Sequence, residues 1–134
     1  MFFGKLLPRE GNFFEMFNQH ADRTARPFVT LDPAQSRDLD QAFAIEGAGS
    51  DLLLHYAIAD VAWFVADGDA LDTEAWARGM TTYLPGAKAG LYPPVLAAGA
   101  ASLLPDVVRP AILFSTRVEA DGSAVLEGVE RVKI

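Results

Sequence analysis

The spacing of apolar residues changes near position 27, which divides the chain into a helical start and a β-rich remainder. In residues 12–22, NFFEMFNQHAD, Phe and Met recur at helix-compatible intervals, Asn12 can act as an N-cap, and Glu15 follows three residues later. Residues 23–27 have no periodicity, and the residue before Pro27 is disfavoured in a helix. We therefore expect one short amphipathic helix followed by a junction.

Short apolar runs bounded by turn residues predict the strands of the remainder. These runs cover residues 28–31, 42–46 and 52–59. The turn-rich linker between the last two predicts a hairpin. The segment ILFSTRVEADGSAVLEGVERVKI holds two β-rich runs around Asp121-Gly122, which predicts a second hairpin.

Two helical features complete the predicted fold. Residues 71–79, LDTEAWARG, have helix-forming residues followed by Gly79 as a stop. The most apolar region, 91–104, contains two prolines and many alanines and indicates a buried loop with a helix. A mixed, mainly antiparallel sheet with a few helices indicates the α+β class.

The composition fits one ordered domain and limits its chemistry. Of the 134 residues, 51% are hydrophobic and 22% charged, as in a globular domain with one core. The chain has no cysteine, which excludes disulfides and thiolate metal ligands and permits a reducing cytoplasm. No stretch resembles a signal peptide or reaches the ~20 apolar residues of a membrane helix. We expect a cytoplasmic protein with no membrane partner.

Three aspartates, Asp32, Asp38 and Asp40, lie within nine residues directly after an apolar run. If the residues between them turn the chain back, the three carboxylates can converge on one point. Such a group is unfavourable unless a cation neutralises it, and hard oxygen ligands suit Mg²⁺ or Mn²⁺. Phosphodiester hydrolysis is the chemistry that most needs this arrangement. Spacing alone favours the alternative, in which these are ordinary surface turn residues.

Several motifs occur together in one order: VTLDPAQSRDLDQAF, HYAIADVAWFVADGDALDTEAWARGMTTYLPG and LYPPVLAAGAASLLPDVVRPAILFSTRVEADG. Over residues 27–134 they resemble the catalytic RNB domain of the RNase II family of exoribonucleases. The resemblance implies hydrolytic 3′-to-5′ degradation of single-stranded RNA with Mg²⁺ (or Mn²⁺), releasing nucleoside monophosphates. It implies that Asp32, Asp38 and Asp40 occupy three of four acidic metal positions. Tyr83 matches an aromatic residue that stacks on the terminal base.

The chain departs from the family pattern in two respects. Gln41 stands at the fourth acidic position, where a neutral amide weakens metal binding or shifts its geometry. The family's catalytic domain is also much longer, so we expect a truncated domain that binds RNA weakly or not at all alone. The net charge of −7 agrees with this expectation, because phosphate binding uses clustered Lys and Arg. Self-association or a second polypeptide could complete the domain, and a catalytically silent fragment is the close alternative.

Residues 1–22 resemble the start of PhoU-like phosphate-transport regulators, although an unrelated amphipathic helix is the alternative. We transfer no phosphate-related function from them. The expected division is therefore 1–26, a helix and junction, and 27–134, a partial ribonuclease domain. The hypothesis from another class is a helical partner-binding or regulatory module in the first segment.

Other residues have plainer interpretations. His55 fits a strand-face histidine better than a metal ligand. Asp60 either supports the metal ligands from behind or caps a turn. Trp63 and Phe64 are expected in the core, and Arg109 in a surface salt bridge.

Overall fold

A computed structural model describes residues 28–134. The helix expected at 12–22, and the segment that resembles PhoU-like proteins, lie outside the described residues. The regular elements are β1 (Gln41–Ala48), β2 (Asp51–Ala59), α1 (Ala70–Arg78), β3 (Thr82–Leu84), β4 (Ala87–Ala89), β5 (Pro110–Val118) and β6 (Ala124–Lys133). A 3₁₀ turn at Val61–Trp63 and a π-helical turn at Leu96–Ala100 lie between them.

Four strands form one antiparallel sheet in the order β1-β2-β5-β6, and β3 and β4 form a separate hairpin. The α+β prediction is confirmed. Both predicted hairpins are present, and each turns through a glycine with positive φ, Gly49 at 70° and Gly122 at 87°. An L side chain rarely adopts this backbone conformation, so glycine specifies both turns.

The strand expected at 28–31 is reduced to a single bridge, in which Val29 and Phe43 exchange two backbone hydrogen bonds of 2.9 Å. The run is only four residues long and lies between Pro27 and Pro33. Because proline cannot donate to a ladder, this run offers few positions for pairing. The prediction of a strand over residues 28–31 was therefore wrong in its length, since only one bridge forms.

One face of the large sheet carries the core. Its centre is small and aliphatic, with Ala57, Leu113 and Val132 buried on three adjacent strands. Leu39 and Leu103, from the segments before β1 and before β5, pack against them. The apolar region 91–104 thus ends in buried residues, as expected.

Trp63 and Phe64 do not lie in the core. They are 37% and 38% exposed, and they lie at the end of the 3₁₀ turn that follows β2 and directly after it. The ammonium of Lys133 lies 5.6 Å from the centre of the Trp63 ring, a cation–π contact. The prediction that both aromatic residues are core residues was wrong.

The helix predicted at 71–79 is confirmed as α1. The Asp69 carboxylate caps it by accepting the backbone N–H of Asp72 at 2.8 Å, and Gly79 ends it with φ 73°. In the described part of the chain, no helix combines the length and apolar character needed to cross a membrane.

Candidate functional site

The backbone on both sides of Asp38 is held by one buried hydroxyl. The Ser102 Oγ accepts the N–H of Leu39 at 2.9 Å and donates to the carbonyl of Arg37 at 2.6 Å. Leu103 N–H also donates to the Leu39 carbonyl at 2.8 Å. The region before β5 therefore fixes the loop that carries the aspartates. Sequence reasoning did not single out Ser102, although a lone hydroxyl inside an apolar run was a usable signal.

Asp40 is fixed from the other side. The N–H of Ala59, the last residue of β2, donates to the Asp40 carbonyl at 2.9 Å. The side chain of Asp40 remains exposed. It therefore lies at the end of the sheet with its carboxylate available to solvent.

A cavity of about 810 Å³ opens beside this loop. Asp38, Asp40 and Tyr83 all line it, together with the cations of Arg78 and Lys88. The cavity thus combines carboxylates, cations and an aromatic ring. The charged groups can contact the phosphate of a nucleotide, and the aromatic ring can stack on its base.

A smaller hollow of about 300 Å³ shares Asp40 with this cavity. Asp32, Asp40 and Gln41 line it, and so does Tyr56. The Tyr56 hydroxyl donates a hydrogen bond to the Gln41 Oε1. Asp40 therefore borders both hollows, whereas Asp32 and Asp38 each border only one of the two.

The expected meeting of Asp32, Asp38 and Asp40 is not present: within residues 28–134, no three acidic or histidine side chains form a group that could hold a metal ion. Asp38 is instead paired with a lysine, Lys88. The donors are nonetheless of a suitable kind for a hard divalent cation. Asp32, Asp40 and the Gln41 amide supply oxygen around one hollow, which is the chemistry that Mg²⁺ prefers.

Asp38 is paired with Lys88, whose Nζ lies 2.5 Å from the Asp38 Oδ2. The hydrogen bond from Lys88 lowers the pKa of Asp38 below its usual value, and backbone hydrogen bonds add to this. The same contact raises the pKa of Lys88. Both side chains are close to half exposed, so solvent screens the pair and its contribution to stability is small.

Tyr83 lies on β3 directly opposite Lys88 of β4. Residues that face each other in an antiparallel pair project from the same side, so the ring and the ammonium share one face of the hairpin. Tyr83 is 75% exposed. Its position on the cavity wall suits base stacking, and that role remains a prediction.

The other singled-out residues serve the sheet and its loops. His55 is buried on β2 between the Ser115 Oγ and a Glu46 Oε1, each at 3.1 Å, which fits the strand-face interpretation. Asp60 makes no side-chain cap to the following turn and is buried against Arg131. Arg109, expected in a surface salt bridge, donates its Nε to the Ser102 carbonyl at 3.0 Å.

A family model and curated relatives indicate the same protein family for this chain. The RNB domain family model matches residues 20–131. "Exoribonuclease 2" of Enterobacter sp. (strain 638) is 39% identical over 106 residues, which cover 78% of this chain and 16% of the relative. "Exoribonuclease 2" of Cronobacter sakazakii is 38% identical over 118 residues, which cover 85% of this chain and 18% of the relative. The chain therefore spans less than a fifth of the curated relatives that it matches.

Solved structures extend the comparison to the fold. Mycoplasma genitalium RNase R in complex with ribose-methylated single-stranded RNA matches with a TM-score of 0.83 and 27% identity, covering 96% of this chain and 20% of that one. Yeast Ssd1, described as a pseudonuclease, matches with a TM-score of 0.69 and 16% identity, covering 94% of this chain and 16% of that one. The second likeness concerns the fold alone. By the extent of the family match and the identity to these relatives, the chain belongs to the RNB domain family.

Proposed function

We propose that the chain is part of a catalytic domain for hydrolytic 3′-to-5′ degradation of single-stranded RNA, with Mg²⁺ or Mn²⁺ as cofactor, in the cytoplasm. One observation carries the proposal: two acidic loop residues, Asp38 and Asp40, share a cavity of about 810 Å³ with Tyr83, Arg78 and Lys88. Such a cavity has a face for a base and charges for a phosphate. The relatives named as exoribonucleases support the reaction class.

In this proposal the oxygens of Asp32, Asp40 and Gln41 would hold the divalent cation, and Asp38 would be a further ligand if it were released from Lys88. The cation supplies charge neutralisation and activation of water for attack on the phosphodiester. Tyr83 stacks on the terminal base and so sets which phosphate lies beside the carboxylates. Ser102 and Ala59 keep the two aspartates in place through the loop backbone.

The charges that line the cavity indicate that an RNA phosphate would bind there together with a cation. Its charged lining consists of three carboxylates, those of Asp38, Asp40 and Glu74, and two cations, those of Arg78 and Lys88. Arg78 already donates to Glu74 at 2.8 Å, and Lys88 to Asp38. An RNA phosphate entering this cavity therefore needs a further positive charge, which a divalent cation provides.

The decisive assay uses 3′-end-labelled single-stranded RNA and the chain as it stands. Because the partial domain alone is expected to bind RNA weakly, we expect slow release of labelled nucleoside monophosphate at high protein concentration with Mg²⁺ or Mn²⁺. We expect no release with EDTA and loss of release in Asp40→Asn. Asp67→Asn is the matched control, because Asp67 is exposed and lies outside the cavity lining. Cleavage that survives EDTA or Asp40→Asn would contradict the proposal.

A catalytically silent domain is the second candidate, and Gln41 favours it. A neutral amide stands beside Asp40, and its oxygen already accepts from the Tyr56 hydroxyl. The fold itself does not decide, because it also occurs in a pseudonuclease. This candidate predicts no monophosphate release from the chain or from Gln41→Asp, even where both bind RNA. A helical regulatory role would rest on residues 1–26, outside the described part.

The division into 1–26 and 27–134, and completion of the domain by self-association or a second polypeptide, remain part of the proposal. Sedimentation velocity over a range of concentrations tests the first form of completion. A concentration-independent monomer that releases monophosphate would exclude self-association as a requirement.

A further inference from the structure

The β3–β4 hairpin is fixed at its base and open at its flanks. At the base, Arg78 Nη1 donates to the Gly90 carbonyl at 3.1 Å, and the Leu91 N–H donates to the Thr81 Oγ1 at 3.1 Å. Along both strands every residue is exposed. The hairpin therefore has no apolar face that packs it against the sheet, and polar contacts must set its orientation.

Lys88 supplies such a contact at the cavity. Its ammonium reaches 50 residues back along the sequence to Asp38 and lies 2.5 Å from that carboxylate. Tyr83 is directly opposite Lys88 in the hairpin register. The ion pair therefore turns the face that carries Tyr83 toward the acidic loop.

We propose that Lys88 is a positioning residue: it latches the β3–β4 hairpin over the cavity through Asp38, and a divalent cation at the acidic loop competes with this latch. The inference rests on the cation-binding part of the proposed function. It adds that metal binding and the position of Tyr83 are coupled through one shared carboxylate. In this role Lys88 contacts neither the attacking water molecule nor the scissile bond.

Charge and exposure explain why the latch can open. A half-exposed ion pair between single charges is screened by water and contributes little, so a divalent ion competes for the carboxylate effectively. Removing the lysine also removes a positive charge that repels the incoming cation. Both effects act in the same direction: replacing Lys88 by a neutral residue should tighten cation binding.

Calorimetric titration with Mn²⁺ tests the competition. We expect Lys88→Met to lower the Kd about 2- to 5-fold, and Lys88→Arg, which keeps a cationic partner for Asp38, to stay near the wild-type value. Lys133→Met is the matched control, because it removes the same charge from β6, away from the cavity lining. Equal Kd values for Lys88→Met and Lys133→Met would overturn the competition.

Backbone amide order parameters for residues 82–89 test the latch itself. In the cation-free chain we expect lower values in Lys88→Met than in the wild type, which means a more mobile hairpin on the picosecond-to-nanosecond timescale. Saturating Mg²⁺ should lower the wild-type values toward those of Lys88→Met and leave the variant unchanged. Identical order parameters in the cation-free wild type and variant would overturn the latch.

These outcomes separate the inference from the proposed function. If the wild type binds Mn²⁺ and releases monophosphate but Lys88→Met changes neither Kd nor order parameters, the latch fails and the nuclease proposal stands. If neither protein binds Mn²⁺, the proposed cation site fails, and the competition fails with it.

Discussion

The guanidinium of Arg131 on β6 lies against the buried carboxylate of Asp60 at the end of β2. Its Nε is 2.5 Å from Oδ2, and its Nη2 donates to Oδ1 at 3.1 Å. The two strands are not neighbours, because β5 runs between them. The Asp60 N–H also donates to the Pro110 carbonyl of β5 at 3.0 Å. This contact therefore ties three strands together one residue beyond Ala59, whose N–H holds Asp40.

Replacing Arg131 by Met should destabilise the fold strongly. Asp60 is 3% exposed, and removing its partner leaves a buried charge, which costs about 3–5 kcal/mol in comparable cases. Urea unfolding followed by circular dichroism measures the loss. Arg117→Met, which removes an arginine paired near the surface with Glu127, is the control and should have a much smaller effect. Equal losses in the two variants would show that the buried pair has no special weight.

The cap of α1 should make stability depend on acid pH. Backbone N–H groups of Asp72, and then of Ala66, lower the pKa of Asp69, since they bind its charged form. A group whose pKa is lowered on folding stabilises above its unfolded value of 3.8 and loses this effect as the pH falls through the folded pKa. Asp69→Asn keeps the cap without the charge.

We therefore expect the Tm of Asp69→Asn to fall less steeply than that of the wild type when the pH decreases below about 4. Asp69→Ala, which removes the cap, should lower Tm by a few degrees at neutral pH. Differential scanning calorimetry between pH 2 and 7 measures both. A constant Tm difference between wild type and Asp69→Asn across this range would exclude the linkage.

Ser102→Ala should weaken both the fold and the acidic loop. It leaves the Leu39 N–H and the Arg37 carbonyl without their buried partner, at a cost of about 1–3 kcal/mol. Because these groups flank Asp38, Mn²⁺ affinity should fall more than stability alone explains at a temperature where the variant remains folded. Ser123→Ala, in an exposed turn, is the control for both measurements. If folded Ser102→Ala binds Mn²⁺ as tightly as the wild type, Ser102 does not position the acidic loop.

The features predicted correctly from sequence are those specified by neighbouring residues. The β1–β2 and β5–β6 hairpins turn at Gly49 and Gly122, and α1 ends at Gly79; each position needs a backbone conformation that glycine adopts readily. The signals and the structures that they specify lie within a few residues of each other. Local sequence was therefore sufficient for these elements.

The contacts that shape the site were missed because they join distant parts of the chain. Ser102 reaches Arg37 across 65 residues, and Lys88 reaches Asp38 across 50. The position of the Ser102 hydroxyl in an apolar run suggests burial, but neither this hydroxyl nor the Lys88 ammonium indicates locally which distant residue it contacts. The same limit applies to the aspartates: their spacing permits convergence, whereas the pairing of Asp38 with Lys88 is set by the tertiary fold.

Gln41→Asp tests whether the fourth position belongs to the cation site. Gln41 shares the smaller hollow with Asp32 and Asp40, so a carboxylate there would add a charged oxygen beside two others. We expect the Kd for Mn²⁺ to fall about tenfold. Gln35→Asp is the matched control: it adds the same charge in the loop that precedes β1 but outside the lining of the hollow, and it should change Kd much less.

The Tyr56 hydroxyl provides a second test. It donates a hydrogen bond to the Gln41 Oε1, which is the oxygen that would bind the cation. Tyr56→Phe should free the amide oxygen and tighten Mn²⁺ binding, by less than the added charge of Gln41→Asp does. If Gln41→Asp binds Mn²⁺ no more tightly than Gln35→Asp, residue 41 does not face the cation. The metal ligands would then be sought among the carboxylates of the larger cavity, where Asp38 and Asp40 lie.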